Sequence, residues 1–120
     1  MSTASPSHFR VAAQAIATIY NRQDITALYA KFDQLARIQI TQQQLSDQIS
    51  RLHNLIGDVD EIAYSHAELA GTKDGRTFYN LHYKVTLVSG PFKQATLKLS
   101  VVKADAGYSL FGFFLNGLDQ

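Results

Sequence analysis

The residues of this 120-residue chain whose types and spacing could carry chemistry gather on two expected strands. His66 and Glu68 stand two apart, so an extended backbone turns both side chains to one face. A carboxylate beside an imidazole raises its basicity and orients its tautomer, which is how an acid/base pair is built. Tyr83 is expected directly opposite His66, with Tyr64 and Tyr79 on the same face. Tyrosines suit a ligand pocket, since each offers an apolar ring and a hydroxyl. Tyr20, Tyr29 and Phe32, from two preceding helices, would complete its lining. The competing account is structural: aromatics at helical spacing are usually core, and buried tyrosine hydroxyls find local partners.

Other chemistries are excluded more firmly. The chain has no cysteine, which removes thiol nucleophiles, disulfides and Cys-ligated metal sites. His66 and His82 resemble a metal pair when read linearly, but the expected register sends them to opposite faces. His8 falls in the tail and His53 on a helix, and no HxH, HxxxH or Asp-rich loop is present, so no metal and no cofactor is expected. Eleven basic residues against ten acidic give a net charge of +1, too little for a polyanion groove. Lys84, Lys93, Lys98 and Lys103 then read as solvated charge rather than a nucleic-acid site. No P-loop, GxGxxG or GxSxG occurs, and no apolar run reaches the roughly 20 residues of a membrane span.

These residues need elements to hold them. Residues 1–8 read as a disordered polar tail and residues 9–120 as one domain. Phe9, Ala12, Ala13, Ile16, Ile19 and Tyr20 follow the spacing of one helical face, and Ile25, Leu28, Tyr29, Phe32, Leu35 and Ala36 repeat it. Asp24 is placed to cap the second helix. Thr41 and Gln44 form a capping box for a third, whose stripe is Leu45, Ile49, Leu52 and Ile56, and Gly57 closes it as a left-handed C-cap.

After Gly57 the apolar period changes from 3.6 to 2. A two-residue turn at Asp74-Gly75 pairs Lys73 with Arg76, and hence Ile62 with Leu87, Tyr64 with Val85 and His66 with Tyr83. A loop at Ser89-Gly90-Pro91 pairs Val85 with Ala95, Tyr83 with Leu97, Leu81 with Leu99 and Tyr79 with Val101. This keeps one face apolar across three strands, as a one-sided sheet requires. A turn at Ala104–Gly107 leads to a last strand, Tyr108 to Asn116, whose alternation fails. Leu110, Phe111, Phe113, Phe114 and Leu115 are apolar on both faces, so either the monomer covers both sides of this strand or an aromatic patch stays on the back of the sheet, the mark of an interface. A homodimer through that face is the preferred reading.

Three helices followed by a four-stranded antiparallel meander resemble the nuclear-transport-factor-two-like (cystatin-like) superfamily. The local likeness is to small exported bacterial members. It rests on Ala15 to Asn21, Ala27-Leu28-Tyr29, the run Ile40 to Leu45, Gly57-Asp58-Val59, and the Gly-Tyr-x-Leu-x-Gly-Phe-Phe strand from Gly107 to Phe114. The resemblance implies an α+β fold in which a curved sheet wraps the three helices as a cone with a pocket. Isomerases of that superfamily use an Asp base inside the cone, and no Asp falls on the inward positions expected here, which weighs against an enzyme.

The expected function is a non-catalytic binding or accessory domain that engages a protein partner or itself through the sheet. An immunity or inhibitor protein is one concrete form. The alternative is a small-molecule carrier or an isomerase/cyclase-like enzyme, whose pocket would take a small apolar ligand. A cysteine-free chain opening with Ser, Thr, Ala and Pro suits a periplasmic or secreted protein with its leader removed, the cytoplasm being the other reading.

Overall fold

The structure, a computed structural model, describes residues 6–104 and 107–118. Its elements are α1 (Pro6–Asn21), α2 (Ile25–Ala30), α3 (Gln34–Gln39), α4 (Gln42–Ile56), β1 (Val59–Lys73), β2 (Arg76–Leu87), β3 (Gln94–Ala104) and β4 (Gly107–Leu118). The strands form one open antiparallel sheet in the order β1-β2-β3-β4. The α+β class, with helices first and a four-strand meander after, is as expected. Helix α1 starts at Pro6, inside the stretch read as a tail; residues 1–5 lie outside the described residues. So do Asp105 and Ala106 of the last expected turn.

The expected second helix is two helices, which makes four among the described residues. Leu110 N donates to the Lys31 carbonyl and Asp33 N donates to the Leu110 carbonyl, both at 2.8 Å. Phe32 thereby bridges in parallel to Leu110 of β4. Backbone groups bonded to a strand cannot also continue a helical ladder. Asp33 restarts the helix as the cap of α3, accepting from Leu35 N at 3.1 Å. The apolar spacing runs through the break because Leu28, Phe32 and Ala36 are buried on the same side.

The cap of α4 matches the sequence reading. Gln44 N donates to Thr41 Oγ1 at 3.1 Å, and Thr41 N donates to Gln44 Oε1 at 2.8 Å. Such a cap contributes about 1 kcal/mol. Gly57 does close the helix at positive φ, but its ψ of −161° lies outside the left-handed helical region. A Cβ there would lie 3.3 Å from the Ser89 carbonyl oxygen, and one on Gly90 would lie 3.1 Å from that of Ile56. The β2–β3 loop can pack on the end of α4 because neither glycine carries a side chain.

The Tyr-Asn pair ending α1 has a structural task. Tyr20 Oη donates to the Gly57 carbonyl at 2.9 Å, satisfying a group at the end of α4. Asn21 clamps the first residue of β1 from both sides: its Nδ2 donates to the Val59 carbonyl and its Oδ1 accepts from Val59 N, each at 2.8 Å. One dipeptide thus joins the end of α1, the end of α4 and the start of the sheet.

Register is where expectation and structure part. The β2–β3 pairs Val85–Ala95, Tyr83–Leu97, Leu81–Leu99 and Tyr79–Val101 all occur. In β1–β2 the turn is as expected, with Lys73 opposite Arg76 and both Asp74 and Gly75 at positive φ. Three irregularities then shift the pairing, between Leu69 and Gly71, Tyr64 and His66, and Val59 and Ile62. Tyr64 therefore faces Tyr83, Ile62 faces Val85, and His66 faces His82 instead of Tyr83. Each bulge adds one residue to β1, and one residue exchanges the two faces of everything beyond it. A fourth shift, opposite Ser100 and Val101, explains the failed alternation of β4. Leu110 and Phe113 both belong to the inner side because Phe111 is the extra residue between them.

The inner face carries the core. Leu81, Tyr83, Val85, Leu97, Leu99 and Leu115 are buried there under Phe9, Ala13, Ile16 and Tyr20 of α1 and Leu45, Ile49 and Ile56 of α4. Burying each large aliphatic side chain contributes roughly 1.5–3 kcal/mol. At the other end of the sheet Arg76 holds Asp33 in a two-pronged ion pair, at 2.6 and 3.1 Å, tying the β1–β2 hairpin to the α2–α3 junction.

Candidate binding surface along β4

Of the tyrosines expected to line a pocket, Tyr20 and Tyr83 belong to the core, while Tyr29, Tyr64 and Tyr79 are half-buried against it. Tyr20 and Tyr83 are 0% and 1% exposed. Tyr83 Oη donates to the Phe9 carbonyl at 2.9 Å, across the sheet–helix interface. Burial pushes the Tyr20 hydroxyl up to about 12, aided by the charge of Asp58, and raises the Tyr83 hydroxyl further, with Tyr64 contributing. Tyr29 donates to the Ile40 and Arg37 carbonyls at 2.8 and 3.1 Å, closing α3. Tyr64 packs edge-on against Tyr83 with ring centres 5.7 Å apart, and Tyr79 packs against Tyr108 at 6.1 Å. Between α1 and the sheet, an open cleft of about 700 Å³ borders Ala17, Asn21, Val59 and Val85 but none of these tyrosines, and the space beside Phe9, Ile16, Leu99 and Leu110 is a cavity of about 110 Å³. That cavity is well below the roughly 300 Å³ at which small-molecule sites begin.

His66 and Glu68 lie on the outer face, a correction to their expected inward position. The extra residue at Ala70 turns them outward, and a second at Ser65 returns Tyr64 to the inside. Glu68 Oε1 accepts from His82 Nε2 at 2.8 Å, and this bond holds the Glu68 carboxyl below its ordinary range. Ser65 Oγ lies 2.9 Å from His66 Nδ1, and the two imidazoles stack. Glu68 therefore bonds the histidine on the neighbouring strand and not its own i−2 neighbour. Among the described residues, no three His, Cys, Asp or Glu side chains are placed to hold a metal ion.

The expected back-face patch divides. Leu110 is 2% exposed and part of the core. Phe113 turns inward and stacks on Tyr20 with ring centres 5.5 Å apart. Phe111, on the bulge, meets Phe78 edge to face at 5.1 Å. Only Phe114 stands outward and well exposed; its ring covers Gly112 and carries the Lys98 ammonium 4.8 Å above it. The bulge at Phe111 removes the continuous patch by returning both Leu110 and Phe113 to the core.

A different surface emerges at the free edge of β4. Between that edge and α3–α4 runs a groove of about 450 Å³, open along one side. Phe32, Ala36, Leu45, Ile49 and Leu115 form its buried floor, and Ile40, Leu52, Phe111 and Phe113 its partly exposed walls. Its polar lining is Gln39, Gln48 and Asn116, and among the described residues no ionisable side chain lines it. The sequence reading missed it, because a groove between a strand edge and two helices has no spacing signal in either element. The available clue was local: an uncharged final strand beside glutamine-rich helices. No family model matches this chain, and no curated protein is detectably similar to it.

Proposed function

We propose that the chain is a non-catalytic binding domain that engages a protein partner along β4 and the groove beside it. The observation that carries this reading is the uncharged groove of about 450 Å³ bordering a strand edge, in a fold whose interior tyrosines are already bonded to backbone. Helices first and an antiparallel meander after support the resemblance to the cystatin-like superfamily, and we extend to this chain the role of its non-catalytic members. We place this role in a protein exported from a bacterial cell, a setting with which a cysteine-free chain is compatible.

Site-specific photo-crosslinking tests the reading in the organism that makes the protein. A photoreactive phenylalanine at Phe114, on the rim of the groove, is expected to capture a protein, either a second copy or a different chain. The same group at Val11, exposed on α1, is the control. Equal capture at both positions, or none at Phe114, would remove the proposal.

A further inference from the structure

We infer that β4 is a docking edge for an extended, uncharged peptide segment of the partner, which adds to the sheet as a fifth strand. This rests on the binding-domain reading and specifies the partner's chemistry. The first support is the backbone. Leu110 turns both its N–H and its carbonyl away from β3, and Asp33 and Lys31 take them. Alternation resumes beyond the bulge with Gly112 opposite Ser100, Phe113 opposite Leu99 and Leu115 opposite Leu97. Phe113 and Leu115 therefore point their N–H and C=O groups outward. Among the described residues no strand lies beyond β4.

The second support is the contrast between the two edges. Strand β1 is broken by three register shifts and carries Asp60, Glu61, Glu68 and Lys73. Those are the devices by which proteins blunt an edge against pairing. From Phe111 to Leu118, β4 holds neither a charge nor a proline. The chain defends one edge and leaves the other open.

Groove chemistry selects the occupant. A strand seated about 4.8 Å from β4 satisfies the outward backbone groups, whereas a lipid chain or a helix leaves them unpaired. Its inward side chains would meet Ile40, Gln48 and Leu52, where a charge would lose hydration without gaining a counter-charge. The Phe32–Leu110 bridge already uses this edge in the same way, within the chain.

The test uses the full chain and heptapeptides selected on it from a random display library, resynthesised with single N-methyl groups. Methylation at alternate amides is expected to weaken binding at least tenfold and at the intervening ones less than twofold. Bound peptide should slow hydrogen exchange at Phe113 and Leu115 at least tenfold. Gln48→Glu, a near-isosteric change on an exposed helix position, should weaken binding at least fivefold with an unchanged melting temperature. Peptides that respond to Gln48→Glu but not to methylation at any position would overturn strand addition and leave the binding domain standing. Peptides indifferent to both, or a library that yields no binder, would also overturn it, while the Phe114 crosslink separately decides whether the surface takes a partner.

Discussion

The imidazoles of His66 and His82 lie face to face, with ring centres 4.4 Å apart and planes 10° from parallel. A regular hairpin counted from the Asp74-Gly75 turn would put these rings on opposite sides of the sheet. Their stacking therefore records the extra residue between Leu69 and Gly71. Ring-proton NOEs are expected between His66 and His82 and absent between His66 and Tyr83. The reverse pattern would show an unbulged β1.

The Asp33–Arg76 pair makes stability depend on acid. The hydrogen bond from Arg76 is the chief reason the Asp33 carboxyl is held below its ordinary range. A depressed folded-state value contributes stability that is complete above the unfolded value of about 3.9 and is lost as pH falls through the folded one. Asp33→Asn should cost about 1.5–3 kcal/mol at neutral pH. In chemical denaturation, that difference from the parent should shrink below about pH 4. Asparagine keeps the capping oxygen for Leu35 N, so a difference independent of pH would mean that the charge of Asp33 does not carry the effect.

At the alkaline end the tyrosines matter. Raised folded values for Tyr20 and Tyr83 mean that the neutral hydroxyls contribute stability that is full below about pH 10 and is lost as pH rises through the folded values. Ultraviolet titration should show both ionising only as the protein unfolds. Tyr83→Phe leaves the Phe9 carbonyl without this donor, and about 1–3 kcal/mol of destabilisation is expected. An unchanged melting temperature would contradict that bond.

Asn21→Ala removes both hydrogen bonds that fix Val59. We expect a loss of about 2 kcal/mol, with faster exchange at the Val59 amide. Asn21→Asp keeps the acceptor and loses the donor, so it should fall between alanine and the parent. Alanine matching asparagine would show that the start of β1 is held by packing alone.

Hydrogen exchange in the free protein checks the edge geometry. The amides of Phe113 and Leu115 should exchange much faster than those of Phe114 and Asn116, which point toward β3. Uniform protection along the strand would mean that another group already covers this edge.

The order of helices and strands is legible in the sequence, and so are the capping box, the two-residue turn and the β2–β3 pairing. Each depends on near neighbours or on a face pattern that one strand states for itself. Apolar periodicity locates the second helical segment but does not show that it breaks at Phe32. The break depends on Leu110, almost eighty positions away, competing for the backbone of Lys31 and Asp33. Likewise the periodicity brings the aromatic residues of the first two helices to the inner face of the sheet. Whether they line a space or fill it depends on how closely α1 approaches that face.

By itself, then, the sequence determined the class, the turn and the apolar strand faces, because side-chain period and local backbone preference are carried by adjacent residues. The tertiary structure decided where His66 and Glu68 point, which phenylalanines reach solvent, and that a groove runs beside β4. The first two outcomes turn on bulges at Ala70, Ser65 and Phe111. A bulge adds one residue without changing composition, yet it exchanges the faces of every residue beyond it, and only pairing against a neighbouring strand fixes its place.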